Sequence, residues 1–406
     1  MNIIFLTMSP IQSIEGRNIY IDLIRKFRDE EHLVTIVSPR ERKTGIATSV
    51  VESGGVKNLG VHTLNLTKTN VVEKGIGQIL VEGQFKRAIK SYVGDMRFDL
   101  ILYSTPPITL VGVVKYLKKK NPKAISYLML KDIFPQNAVD IGMFDKKGLL
   151  YRYFRKKEKD LYKLSDFIGC MSPANVEFIL KHNPEIDPKR VEVAPNSVDL
   201  SHADIAAASD DLTKRKEEVR AKYELPMDKS VFIYGGNLGK PQGIPFLVRC
   251  LDANKDRAGC HFLVVGSGTE RHLIQEWYDK VKPSNMTLLK ALPKTDYDAL
   301  VQTCDAGLIF LDHRFTIPNF PSRLLTYLEY KMPVICATDS NCDMGQIAEA
   351  NGFGYWCESN SVEDFSNCVD KLLNTDMKAM GEKGYKFLCD NYSVENTFDT
   401  IVDHFK

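Results

Sequence analysis

The 406-residue sequence has no apolar run near the roughly twenty residues that a membrane-spanning helix needs. A chain that is soluble, or that at most rests on a membrane, is therefore expected. Charge of one sign is also lacking: 54 Lys plus Arg stand against 52 Asp plus Glu, so no field suited to nucleic acid exists and no nucleic-acid partner is expected. Cys-x-x-Cys spacing is absent, and the cysteines number nine, an odd count. They read as reduced, mostly buried thiols of a cytoplasmic protein rather than a disulfide framework or a zinc site. The opening "MNIIFLTMSP" has no basic n-region and no small-residue cleavage site, so it reads as a first β-strand and not as a signal peptide. Internal repeats and low-complexity tracts are missing too. What is present is the 44% hydrophobic and 26% charged content of a globular enzyme, in a chain long enough for two domains.

Short β-branched runs alternate with helical spacing nearly throughout. Residues 3–8, 33–38, 61–66, 100–104, 124–129, 167–171 and 191–193 read as strands, with helical patterns such as 17–28, 108–118 and 174–183 between them. Continuous apolar strands separated by helices predict a parallel sheet covered on both faces. After Val193 the rhythm breaks in a turn-rich and then charged stretch, read as a hinge. A second series follows, with strands at 231–234, 261–265, 286–289, 306–310 and 333–337. The fold class is thus α/β, with two Rossmann-like domains facing across a cleft. Residues 377–406 are helical with no strand to follow, so the last helix is expected to cross back to the N-terminal domain. The expected domains are 1–203 with 385–406, and 204–384.

In such sheets ligands bind beyond the carboxyl ends of the strands. "YGGNLGKPQG" places Gly235, Gly236 and Gly239 in a strand-to-helix turn, where missing Cβ atoms allow close approach. The next helix aims free amides at that turn, which favours phosphate, and Lys240 adds a mobile cation. A tight turn with no ligand is the alternative. "FLVVGSGTE" repeats the arrangement with Gly266 and Gly268. In "NFPSRLLTYLEYKMPVI", Pro321 precedes Ser322, an N-cap candidate. Arg323 can make a bidentate phosphate contact, and Glu329 could accept both hydroxyls of a ribose. The alternative there is a capped helix with a surface Arg and Glu.

Read together, "YGGNLGKPQG", "FLVVGSGTE", "CDAGLIFL" and "PSRLLTYLEYKMPVI" resemble the C-terminal half of GT-B glycosyltransferases of family 4, most of all those of capsule and O-antigen assembly. In the N-terminal half, "IEGRNIYIDLIRKFRDEEHLVTIVSP", "LMLKDIFPQNAVDIG" and "VEVAPNSVD" agree. The resemblance implies a nucleotide-diphosphate sugar held by the C-terminal domain, with a lean toward uridine. Its candidate contacts are Gly236, Asn237, Gly239, Lys240, Gly266, Gly268, Leu292, Ser322, Arg323, Leu324 and Glu329. Glu329 matches the second glutamate of the family's Glu-x7-Glu motif, whereas Pro321 stands at the first and "PSR" resembles a "PSK" variant. The family's diphosphate-neutralising Arg and Lys fall on the uncharged Asn237 and Gln242. Lys240 and Arg323 are expected to supply the missing charge.

On the acceptor side the resemblance implies that Gly16 lets backbone approach the donor phosphate or sugar. Glu15 and Asp132 become candidate sugar or acceptor contacts, with Asp132 as a general base unless the leaving phosphate plays that part in a retaining reaction. A helix or turn cap is the structural alternative for Asp132. Catalysis needs pre-aimed cations and amides at the phosphates. No metal and no cofactor besides the donor sugar is expected, since no Asp-x-Asp-like pair stands where a metal would sit. The partners are then a nucleotide sugar and a saccharide acceptor, polyprenyl-diphosphate-linked in one form of the reading. The basic, partly apolar stretch 144–164, together with 115–123, is a candidate for peripheral contact with an anionic cytoplasmic membrane face. Two rivals keep the two-lobed architecture: a sugar-nucleotide 2-epimerase, which needs a histidine and carboxylates in the cleft, and a binding protein without catalysis.

Overall fold

A computed structural model describes every residue except 68, 70, 107 and 203–210. The boundary expected after residue 203 falls among these and lies outside the described residues. Contacts divide the chain into two units, Met1–Asp199 with Val394–Lys406, and Leu200–Ser393.

The first unit runs β1 (Asn2–Leu6), α1 (Ile19–Asp29), β2 (Leu33–Glu41), β3 (Ser49–Ser53), β4 (Val56–Thr63) and α2 (Val71–Tyr92). It continues through β5 (Leu100–Ser104), α3 (Val111–Lys120), β6 (Ile125–Leu130), α4 (Gln136–Asp140), α5 (Leu149–Leu164), β7 (Phe167–Cys170), α6 (Pro173–His182) and β8 (Val191–Val193). Its sheet has the order β3-β4-β2-β1-β5-β6-β7-β8. Every pairing is parallel except β3 with β4. "LILYS" of β5 is buried at all five positions, the mark of a strand covered on both faces. Helix α1 starts where Asn18 accepts from the amides of Tyr20 and Ile21, both at 2.9 Å. It then buries Ile21, Leu23, Ile24 and Phe27 against β1 and β2.

The second unit runs α7 (Asp211–Lys222), β9 (Ser230–Asn237), α8 (Ile244–Ala253), β10 (Cys260–Ser267), α9 (Arg271–Val281), β11 (Met286–Leu289) and α10 (Lys294–Val301). Then come β12 (Ala306–Phe310), α11 (Arg323–Glu329), β13 (Val334–Thr338), α12 (Met344–Ala350), β14 (Gly354–Glu358), α13 (Val362–Leu373) and α14 (Met377–Tyr392). The six strands are all parallel, in the order β11-β10-β9-β12-β13-β14. That order places the topological switch between β9 and β12, where an open sheet receives its ligand.

The chain ends with α15 (Val394–Val402) on the first unit. Phe398 lies 5.0 Å from Phe27, ring to ring, and Ile401 is fully buried. His404 stacks on Phe167 at 3.4 Å and meets Glu192 Oε1 at 2.9 Å, which also accepts from the Tyr127 hydroxyl. The terminal helical stretch thus divides. Residues up to Ser393 remain with the second unit, and the return to the first begins at Val394. Three strand expectations need correction. Of the run 61–66 only 61–63 is strand, the end of one that starts at Val56, while 64–66 lie beyond it, and β3 and β14 carry no strand expectation at all.

Candidate functional site

In the second unit the opening glycine loop leaves β9 at the switch point. Gly236 has φ +119°, a conformation that favours glycine. Gly266 and Gly268 are glycine for a reason internal to the chain. A Cβ on Gly266 would stand 1.9 Å from Gly236 O, and one on Gly268 2.2 Å from Leu238 O. Their small size lets the ends of β9 and β10 touch, so the Leu238 amide donates to Ser267 O at 2.9 Å. At the tip Asn237 Nδ2 donates to Gln242 Oε1 at 2.9 Å, and the Gly239 amide donates to the same oxygen at 3.3 Å. These two uncharged residues close the loop on each other. Lys240 beside them is exposed and has no ion pair among the described residues.

Helix α11 is fixed to the sheet by Tyr327, a fully buried side chain. Its hydroxyl accepts from the Gly235 amide at 3.3 Å and lies 3.2 Å from Ile233 O. One turn earlier, Arg323 is thereby carried to the end of β9. Its guanidinium lies 4.5 Å from the Tyr234 ring centroid, a cation–π contact. Nη2 would be 3.7 Å from a Cβ on Gly236. Nη1 is buried and has no hydrogen-bond partner among the described residues. A buried, unpartnered guanidinium nitrogen beside a backbone bared by glycine is suited to receive an anion.

The remaining candidates are placed less centrally. Ser322 occupies the N-cap position of α11, but its hydroxyl makes no capping bond, contrary to the expectation. Leu324 is buried in the core and its amide donates to Pro321 O at 3.3 Å. Leu292 is half-buried in the loop after the edge strand β11. Glu329 is in the last turn of α11, six residues from Arg323 and so about 9 Å further along the axis. Arg314, not singled out in the sequence, clamps Asp312 through Nε and Nη2, both at 2.8 Å. The Asp312 amide donates to Pro241 O at 3.0 Å, tying this loop to the glycine loop.

In the first unit the carboxyl ends of β1, β5 and β6 carry a second cluster. Thr105 Oγ1 accepts from the amides of Lys131 and Asp132 at 3.0 and 3.4 Å, fixing the turn after β6. The Asp132 carboxylate accepts from Asn137 Nδ2 at 3.2 Å. It caps no helix, since α4 has Pro135 at its N-cap position and no side-chain cap. Burial pushes the Asp132 carboxyl up to about 6. Tyr20, on α1, is raised above the ordinary phenol value chiefly by its own burial, with a smaller push from the charge of Asp132. Lys131 points the other way, with Nζ 3.2 Å from Ala194 O, and burial pulls it down to about 7. Lys131 escaped sequence reasoning because a lysine at a strand end ordinarily reads as solvated. Glu15 and Gly16 are exposed on the loop before α1. Arg25 holds that loop by donating to the carbonyls of Ile14 and Gly16 while paired with Asp22 at 2.6 Å. A Cβ on Gly16 would meet nothing nearer than Ile21 Cδ1 at 3.9 Å, so nothing in the fold itself demands glycine there.

Comparison with known proteins follows this division. Residues 215–387 match the family described as glycosyl transferases group 1. The chain is 21% identical over 331 residues to a probable glycosyltransferase, WbjE, of Pseudomonas aeruginosa, covering 80% of this chain and 78% of that one. A putative colanic acid biosynthesis glycosyl transferase, WcaI, of Escherichia coli K12 is 24% identical over 151 residues, 36% of each chain. Among solved structures, sucrose-phosphate synthase of Thermosynechococcus elongatus superposes with a TM-score of 0.75 at 16% identity, covering 100% of this chain and 98% of that one. HepE of Anabaena, in complex with UDP and glucose, gives 0.70 at 12% identity, with 100% and 99% covered. Those likenesses show the fold, the two parallel-sheet domains of GT-B glycosyltransferases.

Proposed function

We propose that this chain, a transferase whose residues 215–387 form a glycosyl transferases group 1 domain, moves a sugar from a UDP-linked donor to a saccharide acceptor in polysaccharide or lipid-linked glycan assembly. The observation that carries this reading is Arg323, with Nη1 buried and unpartnered at the one sheet end where β9 and β12 part. The diphosphate fits there because it can satisfy that nitrogen and meet Lys240. Structures bearing UDP among the fold neighbours and the colanic acid name of one relative support the donor and the acceptor class.

In the transfer, the bond from the anomeric carbon to the diphosphate oxygen breaks and UDP leaves with the electron pair. The acceptor hydroxyl oxygen bonds to that carbon, and its proton passes to the departing phosphate in a retaining course. Negative charge growing on the phosphate is met by Arg323, Lys240 and backbone amides aimed before reaction, without a metal. Asp132, ionised above about pH 6, accepts a hydrogen bond from a saccharide hydroxyl and orients it.

Calorimetric titration of UDP tests the donor site. Arg323→Ala is expected to weaken binding about 10- to 100-fold, the worth of a lost charge-assisted contact. Arg323→Lys should recover part of the loss, and Lys240→Ala should lose less. Unchanged affinity in both alanine variants refutes the site.

A further inference from the structure

The large apolar side chains left in solvent are concentrated. Of thirteen among the described residues, seven fall in two stretches: Ile76, Ile79 and Leu80 on α2, and Met143, Leu149, Leu150 and Tyr153 at or just before the start of α5. Leu149 is 81% exposed and Ile79 67%. The two stretches are neighbours. Both helices pack on the turn Ile108–Leu110, and Lys157 Nζ reaches Glu82 Oε2 at 3.5 Å. Tyr153 lies one turn from Lys157, and Ile79 one turn from Glu82. The same segment does cover apolar groups when it can: the rings of Phe134, Phe144 and Phe154 pack together at 5.1 to 5.8 Å. Leu149 and Leu150 stand outside that packing.

Around these side chains cations outnumber carboxylates. Lys146, Lys147, Arg152 and Lys156 are exposed and make no ion pair among the described residues. Of the nearby carboxylates, Glu158 is engaged by Arg155 and Glu82 by Lys157, Asp145 accepts from the Lys147 amide, and Asp160 lies one turn beyond Lys156. The second basic stretch, 115–123, lies largely on α3, which packs on both α2 and α5, but its Lys118 is directed away from the apolar tips. Lys118 pairs with Asp166, beyond the far end of α5, so about 24 Å of helix separates it from Leu149. Among the described residues no helix is long and apolar enough to cross a membrane.

We propose that this face docks the first unit on anionic phospholipid. Leu149, Leu150, Tyr153 and Ile79 enter the boundary between headgroups and acyl chains, while Lys146, Lys147, Arg152 and Lys156 meet lipid phosphates. Apolar tips ringed by unpaired cations match such a surface, which offers hydrocarbon beneath a sheet of negative charge. The inference stands apart from the transfer chemistry and can hold or fail without it.

Flotation of the full-length protein with vesicles tests it. The protein should float with phosphatidylglycerol–phosphatidylcholine vesicles at low salt, less so at high salt, and not with phosphatidylcholine alone. Leu149→Glu/Leu150→Glu and Lys146→Glu/Lys147→Glu should each lower the bound fraction about tenfold or more, with unchanged melting temperature because all four sites are exposed. Failure of the wild-type protein to float, or equal flotation of both double variants, overturns the proposal. So does a wild-type dimer that ignores vesicles and that Leu149→Glu/Leu150→Glu splits into monomers, which would make the face a contact between copies.

Discussion

Asp132 and Lys131 are adjacent in sequence, and each is held away from its ordinary protonation equilibrium by burial. For Asp132 the sign follows directly. Its folded value, about 6, lies above the ordinary 3.8, so the fold disfavours the ionised form. That cost is absent at pH 3, grows as pH rises between the two values, and is complete above about 6. Asp132→Asn removes it. The variant should melt higher than the wild type at pH 8, by about 1–2 kcal/mol of stability for a half-buried carboxyl, and equally at pH 3. Under the proposed reading the same substitution also removes the rise of kcat/KM through pH 6. A higher melting temperature with wild-type turnover and an intact acidic limb would leave Asp132 a burial effect and remove it from the mechanism.

At the scale of elements, continuous apolar runs were the most legible feature. β5 and β8 match their expected spans, because "LILYS" and "VEV" sit between clear turn signals. β3 was missed since "SVVES" is a half-exposed antiparallel edge with no helix after it. β14 was missed since "GYWCE" begins with glycine and mixes aromatic with charged residues. The site was legible as loops and much less so as roles. Both glycine motifs announced sharp turns, but only coordinates separate Gly236, required by its own φ, from Gly266, required by a neighbouring carbonyl. Nor could the spacing of "PSRLLTYLE" reveal that Tyr327 anchors the helix that presents Arg323. The glycine distinction can be measured. Gly266→Ala should cost about 2–3 kcal/mol, as overpacking against backbone does, seen as a lower denaturation midpoint. Gly16→Ala should stay within about 0.5 kcal/mol, so any loss of turnover it shows reports on a ligand at that loop.

For the whole molecule, the covered seam of α15 decides how the first unit survives. Val394, Phe398 and Ile401 are buried in its core. Exposing them would cost about 5–9 kcal/mol, comparable with the whole margin of a domain, about 5–15 kcal/mol. Truncation after Ser393 should therefore unfold residues 1–199 while leaving 200–393 intact. Limited proteolysis would show the second unit as the surviving fragment, and survival of both units would contradict the role given to α15.

That shared seam also sets an order in time. As the ribosome releases the chain, residues 1–199 emerge before 200–393, yet the piece that closes their core, 394–406, emerges after both. The early-born half must wait, incomplete, while the later-born half is made and closes on its own residues. Completion therefore reverses the order of translation, and the nascent first unit is the part a chaperone would have to hold.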